Sequence, residues 1–193
     1  MSRVDTAWLR MERPTNLMMI TGVLALETPL SIERLRKVIN ERFLSFPRLR
    51  QKALDGTLGA TWEDDPDIDL DWHVRKAALP GRAGKRELER FVGKLASTPL
   101  DKSRPLWMFH LVGNYCGGSA VVARIHHCYA DGIALVQVIL SLTDASPKGG
   151  RRSDHAPVGS EDDAATEAQD LGAMGRYVRM AEELVAKGMK MGA

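Results

Sequence analysis

The sequence predicts an α/β fold, a mixed sheet with helices packed against it, and three observations carry that expectation. Ala120, Val121, Val122, Ala123 and Ile125 form a largely β-branched apolar run that reads as a buried strand, and an apolar helix follows Gly132. Gly113–Gly118 supplies the turn chemistry between Leu106–Val112 and Ser119–Ile125, so these two runs are expected to pair as an antiparallel hairpin. Two further stretches, starting at Ile32 and Lys85, repeat apolar residues at helical spacing. With 193 residues and 44% hydrophobic content, the chain can bury one substantial core.

Taken in order, Asp5 is placed to cap a short helix carrying Trp8 and Leu9, which Pro14 ends. Leu17–Leu26 reads as the first core strand. Ser31 is an N-cap with Glu33 in the first turn, and Ile32, Leu35, Ile39 and Phe43 mark one buried face up to Ser45. The cluster Phe46–Arg50 reads on its own as a turn with solvated cations. Leu58–Trp62 and Leu70–Val74 are short strand candidates, and Glu63–Asp67 between them lacks the ligand spacing of a calcium loop. Leu79–Gly84 is a connector. In Lys85–Ser97, Leu88, Phe91, Val92 and Leu95 share one face of an amphipathic helix. Two prolines keep Pro99–Trp107 from being helical. Asp101 and Arg104 are expected to pair and brace this loop, with Trp107 as a packing anchor. His110 is read as a structural histidine near the site. The helix after Gly132 is expected to be buried nearly all round, since Ile133, Leu135, Val136, Val138, Ile139 and Leu140 cover most of its circumference. Residues 1–144 thus form one domain, 145–170 a flexible linker, basic then acidic, and 171–193 an amphipathic helix.

Bulk composition excludes several functions. A net charge of +2 with interspersed signs gives no reason to expect nucleic acid as a partner. Two cysteines imply no disulfide framework, and a cytoplasmic setting is the default. The run Leu17–Leu26 is too short to span a bilayer and lacks the flanks of a signal peptide, so any membrane contact is expected to be peripheral.

The chemistry concentrates in His126-His127-Cys128-Tyr129-Ala130-Asp131-Gly132. Adjacent residues at a strand end point to opposite sides, so only one histidine can face a given cavity. An imidazole can accept a proton at neutral pH and return it within one turnover. Asp131 either fixes the local backbone or balances a buried cation. Gly132 supplies either a positive φ or room for a ligand's close approach. Competing readings are a structural histidine pair, a zinc site on His126, His127 and Cys128, and a Cys128 nucleophile. Consecutive residues of an extended chain diverge, which disfavours the last two.

As H-H-x-x-x-D-G, this stretch resembles the active-site signature of the acyl-CoA-dependent acyltransferases related to chloramphenicol acetyltransferase and to peptide-synthetase condensation domains. Pro99-Leu100-Asp101-Lys102-Ser103-Arg104-Pro105-Leu106-Trp107 resembles the P-L-D-x-x-R-P-L-W signature of bacterial wax ester synthase/diacylglycerol acyltransferases. Asp5–Leu9 with Asn16–Met19, and Phe46–Arg50, are similar to further segments of that family. The resemblance implies a chloramphenicol acetyltransferase-like half, with His127 as general base, His126 supporting it and Asp131 orienting. It implies fatty acyl-CoA as a substrate with no cofactor, and diacylglycerol or a long-chain alcohol as acceptor, at a membrane or lipid-inclusion surface.

Members of this family are about twice as long, with two similar halves and a channel between them. Residues resembling the second half, including its Asn-Asp motif, are not found here. The chain is therefore expected to have little activity until the complementary half is supplied in cis or trans, and a fragment, a truncated product and a split subunit all remain open. The rival reading is a non-catalytic acyl-chain or lipid-droplet binding module.

Overall fold

The computed structural model describes residues 1–57, 59–130 and 132–144, with backbone alone at 132 and 133, so the expected linker and closing helix lie outside the described residues. Helix α1 (Arg3–Met11) leads into strand β1 (Met19–Leu26), and α2 (Ile32–Val38) follows. A hairpin of β2 (Gln51–Gly56) and β3 (Gly59–Asp64) forms a separate two-stranded sheet. One helical turn, α3 (Leu70–His73), precedes β4 (Val74–Ala77), and α4 (Lys85–Ala96) leads to the long pair β5 (Trp107–Tyr115) and β6 (Gly118–His126). Helix α5 (Gly132–Ser141) closes the described chain.

The main sheet has the order β1-β6-β5-β4, antiparallel except for the parallel β4–β5 pair. Both faces of β6 are covered, which is why its nine residues are all buried. Val121, Ala123 and Ile125 join Trp107, Phe109 and Leu111 in the main core with Leu35, Ile39 and Phe43, while Ala120 and Val122 join Val112 in a second cluster under Leu88 of α4. This is the period-2 alternation of a strand between two helical layers. Arg124, on β6, is also buried, and its guanidinium donates to the Thr98 carbonyl just past the end of α4, where the helix dipole favours a cation.

Several expected elements are confirmed and several corrected. Ser31 does cap α2, accepting from the Arg34 amide, and Ile32, Leu35, Ile39 and Phe43 are all buried, though a π-turn over Ile39–Phe43 replaces the last α-helical turn. The hairpin also stands, but both strands run deeper than their apolar cores, leaving only Cys116 and Gly117, both at positive φ, as the two-residue turn. The cap of α1 is Ser2, with Asp5 inside the first turn. Strand β1 packs Met19, Ile20, Leu24 and Leu26 against the core as expected, but among the described residues it lies at the sheet edge and leaves Val23 exposed. Strand β2 carries only Ala53 as a buried apolar residue, too little for an apolar pattern to mark it, and Leu70–His73 is helical, capped by Asp69. Strand β3 starts at Gly59; Leu58 lies outside the described residues. Helix α5 is not buried all round: Leu135 and Val138 face the core, while Val136 is 58% and Leu140 38% exposed. Among the described residues no helix is long and apolar enough to cross a membrane.

Gly118 starts β6 where β1 ends, and a Cβ there would collide with the Leu26 carbonyl oxygen and lie 2.8 Å from the Glu27 backbone. Because backbone cannot swing aside as a side chain can, Gly118→Ala should destabilise the protein by on the order of 1–3 kcal/mol. Chemical denaturation of the two proteins checks this, with Gly113→Ala, which meets nothing within 4 Å, as the neutral comparison.

Candidate active site

The histidine pair sits where β6 ends, and its main chain is gripped from both sides. The His126 amide donates to the Leu106 carbonyl (3.0 Å) at the start of β5, and the His127 amide donates to the Met18 carbonyl (2.8 Å) just before β1. A 3₁₀ turn over His127–Tyr129 then takes the chain out of the sheet. The turn brings Tyr129 back under the strands: its hydroxyl accepts from the Leu106 amide (2.9 Å) and donates to the Gln51 carbonyl (2.5 Å) on β2. Both backbone groups of Leu106 are thus taken by the histidine segment. The Pro99–Trp107 loop and the His126–Gly132 stretch are, physically, one unit.

Adjacent histidines meet opposite surroundings, as the period of a strand requires. The ring of His126 is fully buried. Its Nδ1 accepts the Cys128 amide (3.1 Å), so in the neutral ring the hydrogen sits on Nε2, 3.6 Å from Glu12 Oε1. Glu12, itself buried just past the end of α1, also binds Lys102 Nζ (2.9 Å) from the loop. Burial outweighs the attraction of Glu12 and pushes His126 down to about 4, so at neutral pH it is an uncharged structural ring. The ring of His127 is half-buried and lies face to face with Trp8 of α1, centroids 4.6 Å apart and planes 19° apart. Its Nδ1 is buried without a hydrogen-bond partner among the described residues. Trp8 and Glu12 are one helical turn apart, so one face of α1 addresses both histidines.

The rest of the loop is braced by its own hydrogen bonds and by ring contacts. The expected Asp101–Arg104 side-chain pair does not form. The Asp101 carboxylate accepts from the Ser103 amide (3.0 Å) and hydroxyl (2.7 Å), which hold it below the usual carboxylate range, while the Arg104 guanidinium lies over the Trp72 ring at 4.8 Å. Their link is through the backbone, Arg104 amide to Asp101 carbonyl (3.2 Å). Leu100, Pro105 and Leu106 are buried beside them. Trp107 is the packing anchor expected of it: fully buried, its indole NH donates to the Leu49 carbonyl (2.8 Å), and His73 stacks on it at 4.0 Å while donating from Nδ1 to its carbonyl. Nor is Arg48 a solvated cation; it pairs with Asp5 (3.2 Å) and covers Trp62 at 4.5 Å.

Other expected residues stand apart or lie outside the described residues. Asp131 is one of the latter, and of Gly132 the structure gives only that it opens α5. His110 lies under α4 with Phe91 edge-on at 5.8 Å, held down to about 4 by burial and then by Arg124. Cys128 is buried, and burial pushes its thiol far above the neutral range, which removes it as a nucleophile. Sequence reasoning missed Glu12, Lys102 and Tyr129. The one signal for Glu12 was its spacing from Trp8, and nothing local pointed to Tyr129. A cleft of about 600 Å³ lined by Arg36, Asp69, Trp72 and Arg75 lies along α2 and β4; none of its lining comes from α1 or β6, and its mixed charges do not suit an apolar substrate.

Solved structures with this fold define the class first. The wax ester synthase/diacylglycerol acyltransferase from Marinobacter aquaeolei VT8 superposes with a TM-score of 0.64 at 21% identity, covering 91% of this chain and 46% of that one. A mutant starter condensation domain of rhizomide synthetase RzmA in complex with C8-CoA superposes with a TM-score of 0.58 at 18% identity, over 80% of this chain and 37% of that one. The fold is that of the chloramphenicol acetyltransferase-like proteins. Residues 1–192 match the family described as wax ester synthase/diacylglycerol acyltransferase catalytic domain, and the chain belongs to that family. Among curated proteins, "Probable diacyglycerol O-acyltransferase tgs3" of Mycobacterium tuberculosis is 33% identical over 145 residues, 72% of this chain and 54% of that protein. The chain spans about half the length of this relative.

Two predictions follow from the geometry. Tyr129→Phe strands the buried Leu106 amide and the Gln51 carbonyl together, and should cost about 2–4 kcal/mol of stability in denaturant titrations. His110 and His126 hold fewer protons folded than unfolded between their folded values of about 4 and the ordinary 6.5. Stability should therefore be full above about pH 6.5 and fall as the pH drops towards 4. Denaturation midpoints across that range test it, and His110→Gln should remove part of the slope.

Proposed function

We propose that this chain carries the catalytic half-site of an O-acyltransferase that moves a fatty acyl group from acyl-CoA to diacylglycerol or a long-chain alcohol, making triacylglycerol or a wax ester. The observation that carries the reading is the half-buried ring of His127, at the end of β6 in an H-H-x-x-x-D-G stretch, with its main chain gripped on both sides. His127 Nε2 is the base. It takes the proton of the acceptor hydroxyl as that oxygen bonds to the thioester carbonyl carbon. The tetrahedral adduct collapses with cleavage of the C–S bond, and the imidazolium returns the proton to the departing CoA thiolate. No covalent acyl-enzyme is needed. His126 stays neutral in this scheme and supports the turn; Asp131 keeps the orienting role that the family resemblance implies. C8-CoA in the related condensation domain supports the choice of donor. The acceptors reside in membranes or lipid inclusions, so the working site is the surface of such a body, reached from the cytoplasm.

The test is ester synthesis from a fatty acyl-CoA with diacylglycerol or hexadecanol, by the chain alone and with the second half of a full-length relative supplied in trans. Activity is expected with that half and little without it. His127→Ala should lower turnover by on the order of 10²–10⁴-fold. Near-normal ester synthesis by His127→Ala overturns the base assignment, and tight acyl-CoA binding with no transfer in any combination identifies a binding module instead.

A further inference from the structure

We propose that Trp8 is a positioning residue whose indole face sets the plane of the His127 imidazole, an inference that rests on the base role proposed for His127. A histidine side chain turns about χ2 in a broad, shallow potential, and it is normally held by a hydrogen bond to one ring nitrogen. His127 has none on Nδ1 among the described residues; the neighbouring amide of Cys128 donates to His126. What meets the ring is the face of Trp8, at 4.6 Å and 19°. A face contact of this kind constrains the ring plane, and with it the direction of the in-plane lone pair on Nε2. Proton abstraction needs that lone pair aimed at the hydroxyl, so a tilt of the plane reduces the rate without changing how substrate binds.

Such a contact can orient only if its own mount is fixed, and α1 is fixed at four points. Asp5 pairs with Arg48 (3.2 Å), Arg10 with Asp55 (2.8 Å), Glu12 with Lys102 (2.9 Å), and Leu9 is buried in the core. These anchors tie the helix to the 3₁₀ turn before β2, to β2 itself and to the Pro99–Trp107 loop. Glu12, one turn beyond Trp8, meets His126 from the same helix face. Trp8 on α1 and Glu12 at its C-cap therefore meet the two rings, one with an aromatic face and the other with a carboxylate 3.6 Å from Nε2. A purely space-filling Trp8 would require bulk alone.

The experiment compares Trp8→Phe and Trp8→Leu, with Trp8→Met replacing the leucine variant if that one fails to fold. Turnover is measured with the complementary half present, and the His127 ring resonances are followed by NMR in the chain alone with labelled histidine. Trp8→Leu is expected to lower kcat by on the order of tenfold or more while the KM for acyl-CoA stays within about twofold, and Trp8→Phe to retain most of the rate. In the leucine variant the His127 ring protons should also move downfield as the indole ring current is lost. Unchanged kcat, equal losses in the phenylalanine and leucine variants, a loss confined to KM, or an unmoved His127 resonance would each overturn the inference. An active His127→Ala protein refutes the base role itself; an inactive His127→Ala beside a fully active Trp8→Leu refutes the positioning role alone. If no combination makes ester, the base role fails and the positioning role falls with it.

Discussion

Leu106 is the peptide unit through which the two conspicuous segments of this chain become one object. Its carbonyl takes the His126 amide and its amide gives to the Tyr129 hydroxyl, so the start of β5 and the end of β6 cannot shift independently. Buried backbone groups must find partners, and here the partners are the residues that flank the candidate base. The Pro99–Trp107 loop runs directly into β5. It presents one strand start, at the right height and direction, to the strand end that carries the histidines, and Trp107, locked by Leu49 and His73, keeps that start from moving.

Around this joint identical side chains meet different burial and different partners. His126 and His127 share a composition and a neighbourhood, yet one is sealed against Glu12 with its protonation suppressed and the other remains half open against an indole. Desolvation acts on the sealed ring because the charged form has nowhere to recover hydration. The Lys102–Glu12 pair lies beside it, so the carboxylate is not left alone in a buried place, where an unpaired charge would be costly.

The two-sided burial of β6 makes this arrangement stiff. With α2 and its π-turn on one face and α4 on the other, a change at either layer is felt through the strand that bears the site. Helix α1 and the β2–β3 hairpin add Leu9, Ala53 and Ala60 to the same core and reach the site through Trp8, Glu12 and the Tyr129–Gln51 bond. Val136 and Leu140 on α5 present apolar surface, as do Val4, Met11, Val23 and Leu54 elsewhere.

Local pattern was enough for much of this. The β5–β6 hairpin, the cap of α2, the amphipathic α4 and the location of the histidine pair at a strand-to-helix junction were all legible, because each depends on residues close in sequence: turn glycines, a capping serine, apolar periodicity. The solvent-facing strand β2, the edge position of β1 and the single turn at Leu70–His73 were not, since sheet order and edge status depend on which strands pair across the whole chain. The same division holds at the site. The motif residues could be named from the sequence, but the partners that orient them come from 23 to well over 100 positions away: Leu106 for Tyr129, Glu12 for His126, Trp8 for His127. No spacing rule links such residues, and only the packing of α1 and the loop against the end of β6 decided which of two neighbouring imidazoles would be sealed and which left half-open.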